Sequence, residues 1–335
     1  MMRISLSELL ATKKIILADG ATGTNYFALG LTSGEPPEFW LDSHPERVAG
    51  LHQRFVDAGA DIILTNSFGC NRHRLKLHNA ENRTYELAKK AAEIARKVAD
   101  SCSRPVVVAG SVGPTGELFA PLGALTQDEA VSCFEEQIRG LKDGGADVAW
   151  IETMSAVEEV QAAAQAAINV SFPYTATCSF DTAGRTMMGL KPDALAQVFS
   201  SLSRQPLAMG ANCGVGASDI LVTALEMSQT PENARVALIT KGNCGIPRFE
   251  GVEIKYSGTP DLMARYAALA VDVGVQIIGG CCGTSPEHLA AMRAAIDKHV
   301  LGSRPTIETI VEQVGPLTNK PPTDTDSNRR KSRRN

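Results

Sequence analysis

No apolar run in this 335-residue sequence approaches the roughly 20 residues needed to cross a bilayer. The opening stretch, MMRISLSELLATKKIILADG, lacks the apolar core and small-residue cleavage site of a secretory leader. A cytoplasmic protein without a membrane partner is the expectation. Basic charge is not in excess either: the formal net charge is -4 at pH 7. A general nucleic-acid binder normally presents a basic face, so nucleic acid drops out of the expected partners. The eight cysteines show no C-x-x-C spacing, and a chain of this length is not a small secreted disulfide scaffold. In a reducing compartment they are core fillers, free thiols or metal ligands. The glycine-rich dinucleotide fingerprint is also absent, because the first strand-to-helix turn reads D-G-A-T-G-T-N and not G-x-G-x-x-G.

What is present is a repeating alternation. Short β-rich runs fall at Ile15–Gly20, Asp61–Phe68, Pro105–Gly113, Asp147–Thr153, Tyr174–Phe180, Leu207–Cys213, Val236–Asn243 and Val275–Gly283. Several are apolar over four to six consecutive residues, the pattern of parallel strands buried on both faces. Helical stretches lie between them. Pro45–Gly59 places Val48, Leu51, Phe55 and Val56 near a 3.6-residue period. Glu81–Val98 is rich in strong helix formers. Thr126 with Glu129, and Ser155 with Glu158, have the spacing of capping boxes. Pro192, Pro260 and Pro286 suit first-turn positions. Eight such units predict an α/β fold, a (β/α)8 TIM barrel forming a single domain over residues 1–315, with an open doubly wound sheet as runner-up. The end, 316–335, is polar and basic (Arg329, Arg330, Lys331, Arg333, Arg334), and is expected to be a disordered tail.

A parallel barrel carries its active site at the carboxyl ends of its strands. Asp19, Asn66, Glu152, Cys213, Asn243, Cys281 and Cys282 end the apolar runs. Neighbouring residues of a regular strand face opposite ways, so Cys281 and Cys282 share a metal only if the backbone leaves strand geometry there. Gly279, Gly280 and Gly283 supply that freedom. Three thiolates around an open fourth position suit a catalytic zinc that admits a substrate, and soft sulfur favours zinc over magnesium or calcium. The competing reading is that strand-end cysteines are small core fillers. Cys70, Cys102, Cys133, Cys178 and Cys244 are assigned to that class, with Cys244 the doubtful member beside Asn243. Glu152 closes the run V-A-W-I, where an unpaired carboxylate is costly, and a cationic substrate group such as an α-ammonium would offset the cost. Asp19 and Glu152 also have ordinary readings, as a turn former and a helix cap. Arg72, His73 and Arg74 could bind a carboxylate, though a loop that opens a helix commonly carries such residues.

With these residues in hand the chain resembles the homocysteine S-methyltransferase family over about Ile15 to Leu289. That family includes betaine-dependent and S-methylmethionine-dependent enzymes and the first module of cobalamin-dependent methionine synthase. The motifs are D-G-A-T-G-T (Asp19–Thr24), T-N-S-F (Thr65–Phe68), G-A-N-C-G (Gly210–Gly214) and G-G-C-C-G-T-S-P-E-H (Gly279–His288). The resemblance implies a methyltransferase forming methionine from homocysteine, with Zn2+ held by Cys213, Cys281 and Cys282, and with Asp19 and Glu152 holding the substrate amino group. Where the family usually shows N-A-G, this chain has Asn243-Cys244-Gly245. The donor stays open between betaine and a methylcobalamin protein encoded separately, as in a split methionine synthase. Tyr26, Phe27 and Trp40 are candidate aromatic walls for a quaternary ammonium, whereas Gly69 stands where the vertebrate betaine enzymes carry a tyrosine. Two weaker readings are a thiol redox protein with a vicinal Cys281–Cys282 disulfide and a non-catalytic scaffold.

Overall fold

A computed structural model describes residues 3–250 and 253–318. Eight parallel strands form one sheet: β1 (Ile16–Leu17), β2 (Ile62–Leu64), β3 (Val107–Val112), β4 (Val148–Met154), β5 (Tyr174–Cys178), β6 (Ala208–Cys213), β7 (Ala237–Gly242) and β10 (Ile277–Gly280). Their order is β1-β10-β7-β6-β5-β4-β3-β2. A parallel bridge between Ala18 and Ile62 joins the two ends, so the sheet closes into the expected (β/α)8 barrel. Every predicted run contains one of these strands except Asp147–Thr153, which β4 overruns by one residue.

Alternation within each strand explains the continuous apolar runs. Ile16, Ala18, Ile62, Leu64, Val107, Ala109, Val148 and Trp150 point inward and fill the barrel. Leu17, Ile63, Val108, Ala149 and Ile151 point outward under the helices. The barrel floor is plugged by the helix Leu6–Thr12, whose Leu6 and Leu9 join the interior cluster. That helix opens with a capping box, Ser5 with Glu8.

Three local readings change. The strand β4 runs on through Met154, so the next helix begins at Val157 with Ala156 as its cap, and Ser155 caps nothing. Thr126 and Glu129 do form their capping box. An antiparallel hairpin, β8 (Pro247–Glu250) with β9 (Glu253–Tyr256), stands between β7 and the next helix and was not foreseen. Beyond the C-terminal helix Ile307–Val314, the Pro316 carbonyl accepts from Ser218 and the Thr318 N–H donates to Asp219. The rest of the expected tail, with its basic cluster, lies outside the described residues. Among the described residues no helix is long and apolar enough to cross a membrane.

Candidate metal and substrate site

At the carboxyl end of the barrel a cavity of about 550 Å³ is lined by Ser111, Glu152, Thr153, Lys241 and the thiols of Cys213, Cys281 and Cys282, among others. The three Sγ atoms lie within 4.8 Å of one another. A tetrahedral zinc with sulfur ligands at ~2.3 Å separates them by about 3.8 Å, so small side-chain adjustments suffice. Among the described residues this is the only group of three or more His, Cys, Asp or Glu side chains so arranged.

The backbone that brings them together departs from strand geometry. The strand β10 ends at Gly280, and the Cys281 N–H donates to the Gly242 carbonyl at 2.7 Å. Cys282 leaves that line: its N–H donates to Asn243 Oδ1 at 3.0 Å and its carbonyl accepts from Cys244 N–H at 2.9 Å. Gly283, at φ 79°, completes the turn, and any side chain there would collide with the Tyr256 ring. Cys213 itself holds φ 61°, strained for a non-glycine residue. The hydrogen bond with Cys213, together with burial, pushes the Cys282 thiol up to about 11, against the opposing hydrogen bonds of Cys281 and Tyr256. Neutral thiols without a cation are what such crowding favours, and a cation is what would discharge it.

The polar frame around the thiols is well satisfied. Asn212 accepts from the Thr153 N–H (2.8 Å) and the Thr177 hydroxyl (2.7 Å), and donates to the Thr153 hydroxyl (2.7 Å). Asn243 also donates to the Gly214 carbonyl at 2.8 Å, tying the two cysteine-bearing turns together. The Tyr256 hydroxyl, carried by the hairpin, hydrogen-bonds Cys282.

Beside the thiols the barrel interior ends in charge. Glu152 is buried and accepts from the Ser111 hydroxyl at 2.5 Å. Burial pushes its carboxyl up, opposed by Lys241 and by that hydrogen bond. Lys241 Nζ lies 2.7 Å from Asp19 Oδ1, with both side chains 2% exposed. The other Asp19 oxygen accepts from the Leu64 N–H at 2.7 Å. Burial disfavours a charged lysine, but Asp19 and Glu152 outweigh it and hold the Lys241 ammonium above its ordinary pKa. Asp19 is therefore paired, whereas Glu152 lines the cavity without an ion-pair partner within 4 Å among the described residues. Sequence reading missed Lys241. Its signal was a lysine ending the apolar run A-L-I-T, where a charged residue is almost never buried unpaired.

The other candidates resolve as follows. Cys244 is buried and turned away: its Sγ packs against Gly258, and burial raises its thiol to about 12. Cys70, Cys133 and Cys178 are buried and Cys102 half-buried, and none joins the metal cluster. Asn66 lines the cavity and donates to the Pro37 carbonyl. Arg74 reaches the cavity rim, while Arg72 is spent on Glu136 at 2.7 Å. Of the three aromatic candidates only Phe27 lines the cavity. Trp40 is 1% exposed, packed on Tyr26 with ring centroids 5.2 Å apart and covered by Arg47 at 5.0 Å. At Gly69 the space is taken by the buried Glu38 carboxylate, which accepts the Gly69 N–H at 2.6 Å.

The profile of the family described as homocysteine S-methyltransferase matches residues 16–296. Two relatives named methionine synthase are 28% identical: that of Mycobacterium tuberculosis (strain ATCC 25618 / H37Rv) over 85% of this chain, and that of Mycobacterium leprae (strain TN) over 87%. The chain spans 25% of the length of each. Among solved structures, the homocysteine methyltransferase MmuM from Escherichia coli is similar in its oxidized form (TM-score 0.73, 22% identity, 85% of this chain and 97% of that one). Its metallated form gives a TM-score of 0.72 at 22% identity, over 85% and 98%. At that identity the likeness speaks for the fold.

Proposed function

This chain belongs to the homocysteine S-methyltransferase family and is a methyltransferase, and from that premise we propose that it forms methionine from homocysteine with zinc held by Cys213, Cys281 and Cys282. The observation that carries this reading is the convergence of three thiols on one side of a cavity whose wall is the buried carboxylate of Glu152. Zinc in that place would supply a Lewis acid able to keep a substrate sulfur deprotonated at neutral pH.

The chain's own residues supply the rest. Glu152, oriented by Ser111, receives the substrate α-ammonium and relieves its own burial. Asp19 acts at one remove, by holding Lys241 in place. Asn212 and Asn243 fix the cysteine-bearing turns, so the sulfur is presented in one direction. The homocysteine sulfur then forms its bond to the donor's methyl carbon as the donor's own bond to that carbon breaks, a step that needs in-line placement and exclusion of water. A cytoplasmic setting, which keeps thiols reduced, suits the site.

For the donor, a methylcobalamin protein is favoured over betaine. A quaternary ammonium is best held by several aromatic faces, but Tyr26 and Trp40 are packed into the core and a carboxylate fills the space at Gly69. Exposed apolar side chains stand on the loops that follow the strands instead: Phe27 and Leu77 line the cavity, and Leu118, Leu122 and Met187 lie on the loops after β3 and β5. Exposed apolar side chains around a cavity mouth suit a macromolecular partner. The chain's match to a quarter of the methionine synthases also fits a module that works with others. Betaine remains the second reading because Phe27 and Phe68 both line the cavity. Methionine formation from homocysteine by the zinc-loaded chain tests both, with betaine and methylcobalamin supplied separately. Turnover with methylcobalamin alone is expected, and rapid turnover with betaine reverses the preference. No zinc retained, or no methionine with any methyl donor, removes the function itself.

A further inference from the structure

Lys241 stands apart in the cavity wall as an ammonium buried in the barrel interior yet facing the site. Its neighbour strand makes room for it: at Gly279 an added Cβ would lie 3.0 Å from Lys241 Cγ, so a side chain there would crowd the lysine stem. Among the described residues its Nζ makes one hydrogen bond, to Asp19, of the three an ammonium can donate. Besides the Trp150 ring, 5.9 Å away, the remaining donors meet no oxygen or nitrogen acceptor among the described residues, although burying an ammonium is tolerable only when it is paired and hydrogen-bonded. Glu152 is the matching case of opposite sign, with one oxygen on Ser111 and no cation in contact. The cavity thus holds one under-coordinated cation and one under-compensated anion beside a thiol cluster.

We propose that Lys241 and Glu152 form a clamp for a zwitterionic amino-acid thiol, Lys241 taking the α-carboxylate and Glu152 the α-ammonium, with Asp19 positioning the lysine. Such a site reads both ends of the amino-acid head while the sulfur sits at the thiol cluster. Lys241 becomes a determinant of substrate choice, and free thiols lacking the carboxylate are discriminated against. This rests on the homocysteine reading above and adds to it a named carboxylate receptor.

The test is calorimetric binding of three thiols to the zinc-loaded full chain: homocysteine, 3-mercaptopropylamine (no carboxylate) and 4-mercaptobutyrate (no ammonium). Wild-type protein should prefer homocysteine over 3-mercaptopropylamine by about ten- to hundredfold, the usual range for one charge-assisted contact. Equal binding of those two by wild-type protein overturns the clamp without any variant. Lys241→Met leaves Asp19 as a buried unpaired charge, so the second variant is Asp19→Asn/Lys241→Met, which removes the pair together. In the folded double variant, homocysteine and 4-mercaptobutyrate should both weaken by about tenfold or more while 3-mercaptopropylamine is unchanged. Equal weakening of all three thiols would mean that Lys241 only supports the fold, and an undiminished homocysteine preference would equally overturn the clamp. Failure of wild-type protein to bind any of the thiols strikes the homocysteine reading itself, and the clamp with it.

Discussion

Asn212 clasps Thr153 at two points, accepting its N–H at 2.8 Å and donating to its hydroxyl at 2.7 Å. Thr153 holds φ 64° directly after Glu152, and Asn212 directly precedes Cys213 at φ 61°. One strained residue on strand β4 is therefore held by the amide side chain of the residue that precedes the other on β6. Strain of this kind persists only where surroundings over-determine it. The clasp couples the backbone beside the Glu152 carboxylate to the backbone beside the Cys213 thiol.

Asn212→Ala should lower stability by about 2–3 kcal/mol, since three hydrogen bonds go and buried partners are left unmet. Asn212→Asp retains the two acceptor contacts and should cost less. Denaturant unfolding of both variants measures this, and an alanine variant as stable as wild type would show that Thr153 holds its conformation unaided.

Zinc content separates the cysteines. Cys213→Ala, Cys281→Ala and Cys282→Ala should each abolish zinc that survives gel filtration, because two remaining thiols fall short of the three protein ligands of an open zinc site. Cys244→Ala should keep one zinc per chain, since its thiol packs on Gly258 away from the cluster. Elemental analysis decides. Zinc retained at wild-type level in any of the first three variants strikes that residue from the ligand set.

Glu152→Gln should weaken homocysteine binding while zinc stays. A lost charge-assisted hydrogen bond of ~1.5–3 kcal/mol corresponds to roughly ten- to hundredfold in affinity. Unchanged affinity in a calorimetric titration would mean that the carboxylate serves only Ser111.

His52 should make stability pH-dependent. It is fully buried, neither ring nitrogen has a partner among the described residues, and burial lowers its pKa to about 4 from 6.5. Above pH ~6.5 both folded and unfolded states are neutral there, and its contribution is complete. As pH falls from ~6.5 toward 4 the unfolded state takes up a proton that the folded state refuses, so stability drops. At pH 5 the loss is about 2 kcal/mol. Comparing denaturant unfolding at pH 7 and pH 5 for wild type and His52→Leu isolates this contribution. Equal pH sensitivity in the two proteins would show that His52 protonates freely when folded.

The barrel was legible because parallel strands buried on both faces read as near-continuous apolar runs, and eight such runs alternate with helical stretches. The thiol cluster was legible because strand ends are where a barrel gathers its chemistry, so Cys213 and Cys281 could be placed together across 68 residues of sequence without any spacing motif. The hairpin between β7 and the following helix was not, since R-F-E and E-I-K carry no apolar run. Ser155 misled because a capping pattern does not say where the preceding strand stops. The pairing of Lys241 with Asp19 spans 222 residues, and a lone lysine does not name its partner.

Trp40 shows the same limit for aromatics and yields the last prediction. In sequence, an aromatic on the long loop after β1 reads alike whether it faces a ligand or the core. In the structure its ring is enclosed by Tyr26, His44 and Arg47 and is 1% exposed. Trp40→Ala should therefore act on the fold, costing about 3–5 kcal/mol as for other buried large aromatics, with Trp40→Phe recovering much of the loss. Phe68, which lines the cavity and is 38% exposed, is the opposite case, and Phe68→Ala should cost far less stability. If a cation is ever gripped by aromatic faces at this mouth, Phe68→Ala must raise the Michaelis constant for betaine, and Trp40→Ala must leave it alone in whatever fraction remains folded. A betaine constant that rises in the folded Trp40→Ala protein would place that ring at the donor after all, and would return betaine to equal standing with the corrinoid reading.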